Sequence, residues 1–380
     1  MVGLAVTALA ADPQVGDKWD DGELRYEVTK ADPPLEVEVD KLVNKDYSGT
    51  LDILPTVNHD GKDYAVTSIG EYACAYCIFL TGVKLPNSVT SIGKFAFADC
   101  DELGNVEFPN SLASIGEAVF SACSLTSVTI PSTVSNIGSG AFEYSLKLLS
   151  INVDAGNQHY SSKDGILYSN DGKTLHTYPA GKKESSYEMP ASVSSIGDFA
   201  FYGSPLETIQ LSSTLNSIGF AVFADVPWLA TVKIPSSVSS ISPGAFAWCA
   251  SLETIEIDED NEHYCVKDGL LFSKDGKTLH TYPPSRKNAS YEVPSSVTRI
   301  NAYAFAECPT LKSVTIPSSV VHLGKYAFYY VEDPSPLESV YIPAATPPEC
   351  EGNLLFGSTV KLYVPQGSLD AYKKADGWKD

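Results

Sequence analysis

The stretch Leu311-Lys-Ser-Val-Thr-Ile-Pro-Ser-Ser-Val-Val-His-Leu-Gly-Lys-Tyr-Ala-Phe328 decides how the chain is read, because its pattern recurs along most of the 380 residues. The shared word is Pro-x-Ser-Val-x-x-Ile-Gly-x-x-Ala-Phe. Its Ile falls at Ile69, Ile92, Ile115, Ile137, Ile196, Ile218, Ile241 and Ile300, and Leu323 takes the place in the final copy. Copies are 22 or 23 residues apart except at two steps of 59. A period of that size predicts a solenoid, in which each repeat is one coil that buries its apolar face only against its neighbours.

Each column of the repeat has a physical role. Five residues after the Ile stands an aromatic: Phe97, Phe120, Phe142, Phe201, Phe223, Phe246, Phe305 and Phe328, with Cys74 in the first copy. The residue before it is small, as in Ala96, Val119 and Ala245. Large beside small, stacked coil upon coil, predicts a continuous interdigitated core. The Gly after the Ile suits a sharp bend, and Ser242 and Asn301 replace it in two copies. Further along come alternating pairs such as Val83/Leu85, Val128/Ile130, Val232/Ile234 and Val314/Ile316, the period of a half-buried strand. A Pro usually follows and ends it. Each coil is therefore expected to hold one strand, a corner at Pro, a short extended segment through Ile, and about one helical turn at Ala-Phe.

The two long steps contain sister inserts offset by 104 positions, as from Asn157 to Asn261 and from Ile137 to Ile241. Asp171-Gly172 and Asp275-Gly276 between apolar residues predict β-hairpins. Tyr187-Glu-Met189 and Tyr291-Glu-Val293 occupy the Val-x-Ile columns, so each insert reads as an enlarged coil that projects a hairpin.

These units resemble the BspA-type leucine-rich repeat of bacterial surface proteins, and the Lys-Asp-Gly-Leu-Leu-Phe segment at 267–272 resembles an element of the same family. The resemblance covers about residues 48 to 345. It implies an α/β repeat solenoid, a right-handed stack of leucine-rich-repeat-like coils with short parallel strands. It also implies a secreted or surface-exposed protein of host-associated anaerobic bacteria, with adhesion to host proteins as the usual role, and it brings no shared catalytic motif.

The expected organisation is a signal-peptide remnant at 1–11 ending in Ala8-Leu9-Ala10, an N-terminal β cap at 12–62 and the solenoid at 63–345. Inserts lie near 154–189 and 258–293, and a C-terminal cap with an amphipathic helix from Ser368 to Trp378 spans 346–380. The net charge of −21 disfavours a nucleic-acid partner. No stretch approaches the ~20 apolar residues of a membrane span. An extracellular monomer without a cofactor is expected.

Candidate chemistry is weak throughout. Cys77, Cys100, Cys123, Cys249 and Cys308 share one column with Ser145, Ser204, Val226 and Val331, which reads as a small buried site and makes Cys74-x-x-Cys77 two core columns. His159, His263, His176 and His280 are duplicated insert positions, while His59 and His322 stand alone. Gly172-Lys173-Thr174 lacks the first Gly of a phosphate loop, since Leu167 stands there. Asp258-Glu-Asp-Asn-Glu262 lacks the Gly of a calcium loop and reads as a solvated acidic turn.

What remains is the outward column of the Val-x-Ile strands: Lys84, Glu107, Thr129, Asn152, Gln210, Lys233, Glu256, Thr315 and Tyr341. A polar, mixed-charge column of this kind predicts a shallow binding face, on the order of 50 Å long at ~4.8 Å per strand, for an unidentified protein or glycan macromolecule. The plain alternative is a hydrophilic surface on a structural spacer. Tyr76, Tyr144, Trp248 and Tyr330, seven residues after the Ile or Leu323, offer a second face.

Overall fold

The computed structural model describes residues 12–331, 334–352 and 359–378. The signal-peptide expectation at 1–11 falls outside them. The chain divides into two compact units, Met1–Gly165 and Ile166–Asp380.

In the first unit the Ile column forms one sheet. Lys62–Ile69, Ser91–Ile92, Ser114–Ile115 and Asn136–Ile137 pair in parallel, with Ile69, Ile92, Ile115 and Ile137 side by side. The N-terminal strands Lys18–Asp20, Leu24–Lys30 and Glu36–Leu42 are antiparallel to one another. The last of them pairs in parallel with Lys62–Ile69, Val39 opposite Ile69, so this β-structure continues the sheet and closes its first coil. On the other side of the coils the Val-x-Ile strands pair likewise: Gly49–Asp52 with Leu80–Lys84 and Asn105–Glu107, and Ser127–Ile130 with Ser150–Val153.

The second unit repeats this plan. Ser195–Ile196, Ser217–Ile218 and Ser240–Ile241 stack in one Ile sheet. Arg299–Ile300, His322–Leu323 and Glu349–Cys350 stack in another. The aromatic column lies between the two faces of the coils, with rings parallel: Phe201–Phe223 at 5.3 Å, Phe223–Phe246 at 5.5 Å and Phe305–Phe328 at 5.0 Å, as Phe97–Phe120 at 5.6 Å in the first unit. These rings are almost entirely buried. A flat ring at a rise of one strand per coil fills the space between neighbours without a gap, so the column is the spine of the core.

The Ala-Phe segment is not helical, which corrects the expected helical turn. Its N–H groups alternate in direction. Ala96 and Ala98 bond back to Gly93 and Phe95 within the coil, while Phe95, Phe97 and Asp99 donate to Glu117, Val119 and Ser121 of the next coil. A helix would turn every N–H onto its own chain. Here alternate donors are needed to tie coil to coil, so the segment becomes a run of tight turns with left-handed residues such as Phe95 (φ 54°) and Asp99 (φ 55°). Among the described residues the α-helix is confined to Leu369–Tyr372, shorter than the expected Ser368–Trp378 segment. Tyr372 and Trp378 are buried beside each other, and their polar atoms donate to the Ala344 and Pro348 carbonyls at 3.0 and 2.9 Å.

Two column assignments also change their reason. The Gly after the Ile does not adopt the left-handed backbone. It is small because coils approach closely: a Cβ at Gly116 would lie 2.7 Å from Gly93 carbon, and at Gly138 2.4 Å from Glu117 nitrogen. Asn301 likewise has no positive φ. In the Cys/Ser column the side chain donates to the aromatic-column carbonyl one coil back: Cys100 to Cys74, Cys123 to Phe97, Ser145 to Phe120 and Cys249 to Phe223, at 3.2, 3.1, 2.8 and 2.9 Å. Small size is common to the column, since Ser204 is buried without such a bond and Val226 carries no donor; the hydrogen bond is an addition where Cys100, Cys123, Ser145 and Cys249 supply it.

The hairpins expected at Asp171-Gly172 and Asp275-Gly276 form, between Ile166–Ser169 and Thr174–Thr177 and between Leu270–Ser273 and Thr278–Thr281, but their second strands join the Ile sheet and do not stand away from the coil. In the second insert, Tyr264–Lys267, Leu270–Ser273 and Thr278–Thr281 form an antiparallel meander, and the last strand joins the Ile sheet with Leu279 opposite Ile300. Tyr282 then stacks on Phe305 at 5.3 Å, taking an aromatic-column place. Leu175 and Tyr178 do the same against Ile196 and Phe201. The Asp268-Gly269 turn has positive φ at both residues, 50° and 78°, the geometry of a two-residue hairpin loop.

Candidate binding face

Every residue of the expected outward column lies on a Val-x-Ile strand, and all are exposed except Thr315, which is half-buried. In the first unit Lys84 stands opposite Glu107 and Thr129 opposite Asn152. In the second, Lys233 stands opposite Glu256 and Thr315 opposite Tyr341. Gln210 faces Glu188, which the sequence reading left out. Asp52, Glu292 and Tyr363 also belong to the column, in register with Lys84, Thr315 and Tyr341. The signal for them was present: Thr50-Leu-Asp-Ile53 and Lys361-Leu-Tyr363 carry the same alternation but fell inside the segments read as caps.

The face is not one uninterrupted sheet. In the second unit it consists of two pairs, Ser186–Glu188 with Thr208–Gln210 and Thr231–Ile234 with Thr254–Ile257, and a four-stranded sheet from Ser290–Glu292 to Lys361–Tyr363. The two lysines of the column are ion-paired. Lys233 meets Asp258 at 2.7 Å and Lys84 meets Asp52 at 3.7 Å. The hydrogen bond to Asp258 raises the Lys233 pKa, and the same bond lowers that of Asp258. At the far end Tyr341 and Tyr363 stack at 4.6 Å and 10°, both more than 40% exposed.

The second set of aromatics does not form a uniform face. Tyr76 and Tyr144 are exposed, whereas Trp248 is half-buried against Tyr303 and Tyr329 at 5.4 and 5.8 Å, and Tyr330 is half-buried. The acidic turn at 258–262 is only partly solvated. Asn261 is fully buried, donates to Pro235 and Val238 carbonyls, and accepts from the His263 and Tyr264 N–H groups. Asn157 repeats this arrangement. The Tyr160 and Tyr264 hydroxyls accept from the Ile137 and Ile241 N–H groups at 2.8 Å, taking the place of a missing strand partner. Exact recurrence at offset 104 was the signal for this pair of devices.

The thiols of the Cys column are buried, whereas His159 and His263 are exposed. Burial pushes the Cys100 and Cys249 thiols up to about 12 and holds His280 down to about 4. The carboxylate trio Glu27, Glu38 and Asp40 holds the Lys18 ammonium, 2.6 Å from Glu27 and 2.8 Å from Asp40. Among the described residues no helix is long and apolar enough to cross a membrane.

Parallel two-residue strands, an aromatic spine and a second ladder of alternating strands define a β-solenoid of leucine-rich-repeat-like coils. Residues 67–170, 180–268 and 283–347 match the BspA type leucine rich repeat region in six copies, and the chain belongs to that family. Among solved structures it is similar to a leucine-rich repeat protein from Eubacterium ventriosum, at 22% identity and a TM-score of 0.57, covering 91% of this chain and 95% of that one. It is also similar to a leucine rich cell surface protein from Faecalibacterium prausnitzii, at 21% identity and TM-score 0.41 over 86% and 94%. The pneumococcal vaccine antigen PcpA matches at 20% identity and TM-score 0.42 over 95% and 96%. None of the curated proteins matches the chain.

Proposed function

We propose that the protein is a non-enzymatic, extracellular or cell-surface binding module whose partner, a protein or glycan, lies across the outward column of the Val-x-Ile strands. The observation that carries this reading is the register of that column. Neighbouring coils present exposed side chains side by side, Lys84 beside Glu107 and Lys233 beside Glu256, and the column ends in the exposed Tyr341–Tyr363 stack. Repeated, shallow and mixed in charge, such a face suits a macromolecule better than a small metabolite, which favours a concave apolar pocket. Membership of the BspA-type family and the Ala8-Leu9-Ala10 cleavage pattern support the surface location. The burial of the Cys-column thiols supports the absence of catalysis.

The test is a binding screen against extracellular-matrix proteins and a glycan array, followed by substitution of the partner's face. Gln210→Ala with Tyr341→Ala should weaken the partner at least about ten-fold, as loss of an aromatic contact residue does. A partner whose affinity ignores that change but is lost on Trp248→Ala, in the same unit, places the interface on the turns and sinks the proposal.

A further inference from the structure

The second insert opens a cleft of about 800 Å³ between the strand Thr254–Ile257 and the strand Tyr264–Lys267. Both strands have an open edge there. Among the described residues Thr254–Ile257 is paired only with Thr231–Ile234, and Tyr264–Lys267 only with Leu270–Ser273. Among the described residues one backbone bond crosses near this gap, from the Ile255 N–H to the Gly269 carbonyl at 3.1 Å. An exposed strand edge offers unpaired N–H and C=O groups, and an added extended chain is their natural partner.

The lining says what that chain carries. Both ammonium groups in the cleft are engaged, Lys233 with Asp258 and Lys274 with the Asn261 carbonyl. Glu256 and Glu259 line it and form no salt bridge within 4.0 Å among the described residues, although Glu256 also feels the charge of Lys233 beside it. Ile257 and Val266 give it an apolar side, packed against the core of the unit. The sister insert serves as an internal control. Its framework residues Ile151, Asp154 and Tyr160 are identical to Ile255, Asp258 and Tyr264. Its cleft positions are not: Asn152, Ala155 and Ser162 stand where the second copy has Glu256, Glu259 and Val266. The two copies keep one fold and differ in the residues that would read a ligand.

We infer that this cleft binds an extended peptide segment of alternating basic and apolar residues, which adds to the free edge of Thr254–Ile257 and sets its cations against Glu256 and Glu259. The inference rests on the reading of the outward column as a binding face, since Glu256 belongs to both. A peptide is favoured over a glycan because only a peptide backbone matches the donor and acceptor spacing of a strand edge. The protein's net charge of −21 draws a basic segment in from solution.

The experiment uses the full chain and a fluorescent, end-blocked peptide alternating lysine and valine, titrated at low salt. The comparison variant is Glu256→Asn with Glu259→Ala, which installs the residues of the sister copy, and its circular dichroism confirms the fold. The expected result is a loss of about ten-fold or more in affinity in that variant, with hydrogen-exchange protection of the Ile257 amide in the wild-type complex. No binding of the peptide, equal binding by the variant, equal binding of a lysine homopolymer without protection at Ile257, or binding of neutral oligosaccharides in its place overturns the inference. A Gln210→Ala/Tyr341→Ala variant separates the two readings. If it keeps the peptide and keeps a large partner as well, the face proposal fails and the cleft stands. If it loses the large partner while the peptide binds both cleft forms equally, the cleft fails and the face stands.

Discussion

Glu143 shows how one residue ties the coil stack to pH. Its side chain is half-buried, Ser121 donates to Oε1 at 3.2 Å, and Oε2 is buried without a partner among the described residues. Burial, with Glu117 and Asp99 adding to it, pushes the carboxyl up to about 7 from its ordinary 4.5. Between those values the folded chain binds more protons than the unfolded one, so stability is lost as pH rises through that window. Glu143→Gln removes this dependence and should stabilise the protein at pH 8 by about 1–3 kcal/mol, with little effect at pH 4.5. Urea denaturation at the two pH values measures it, and equal changes at both would refute the account. His280 acts in the other direction. It is neutral in the fold, so acidification from 6.5 toward 4 also destabilises. Phe246, 1% exposed and stacked on Phe223, is the residue on which the core assignment turns. Phe246→Ala should cost about 3–5 kcal/mol, and a thermal midpoint equal to wild type would disprove the spine.

The enlarged coil is held at the scale of the element by Asn261. One buried amide satisfies two carbonyls, of Pro235 and Val238, and two N–H groups, of His263 and Tyr264. It therefore does with a side chain what a neighbouring strand does elsewhere. Asn261→Ala leaves these groups without partners, at about 1–3 kcal/mol for a buried group left unsatisfied. The expected total loss is about 3–4 kcal/mol, read by chemical denaturation. Because the Tyr264 hydroxyl receives the Ile241 N–H, the same variant should also speed amide exchange at Ile241. Stability equal to wild type with Ile241 still protected would show that the meander holds itself.

A net charge of −21 over 380 residues acts on the whole molecule. Like charges repel in the compact state, and added salt screens them over roughly 10 Å at 0.1 M. The thermal midpoint should therefore rise between 20 and 300 mM sodium chloride, by about a few degrees. Binding of a basic partner should weaken over the same range. The two effects have opposite signs from one cause. A midpoint that falls with salt would mean that the ion pairs between coils, such as Lys94–Glu117 at 2.7 Å, outweigh the repulsion.

The sequence by itself determined the repeat, the Ile and aromatic columns, the alternating strands and the outward residues. Each of these is a periodic demand of burial, and a period is visible in one dimension. Lys233 and Glu256 could be placed side by side because their separation equals one coil. Tertiary structure alone decided where hydrogen-bond donors point. The Ala-Phe segment has the composition of a helical turn, yet half its N–H groups serve the next coil. Gly116 looks like a bend and is a point of contact between backbones. Leu279 and Tyr282 lie only three residues apart where the repeat spaces Ile and Phe by five, so their membership of the same columns shows only once the meander has folded beside Ile300 and Phe305. The cleft arises in the same way. Its two edges are ordinary strands in sequence, and only the meander between them leaves those edges unpaired.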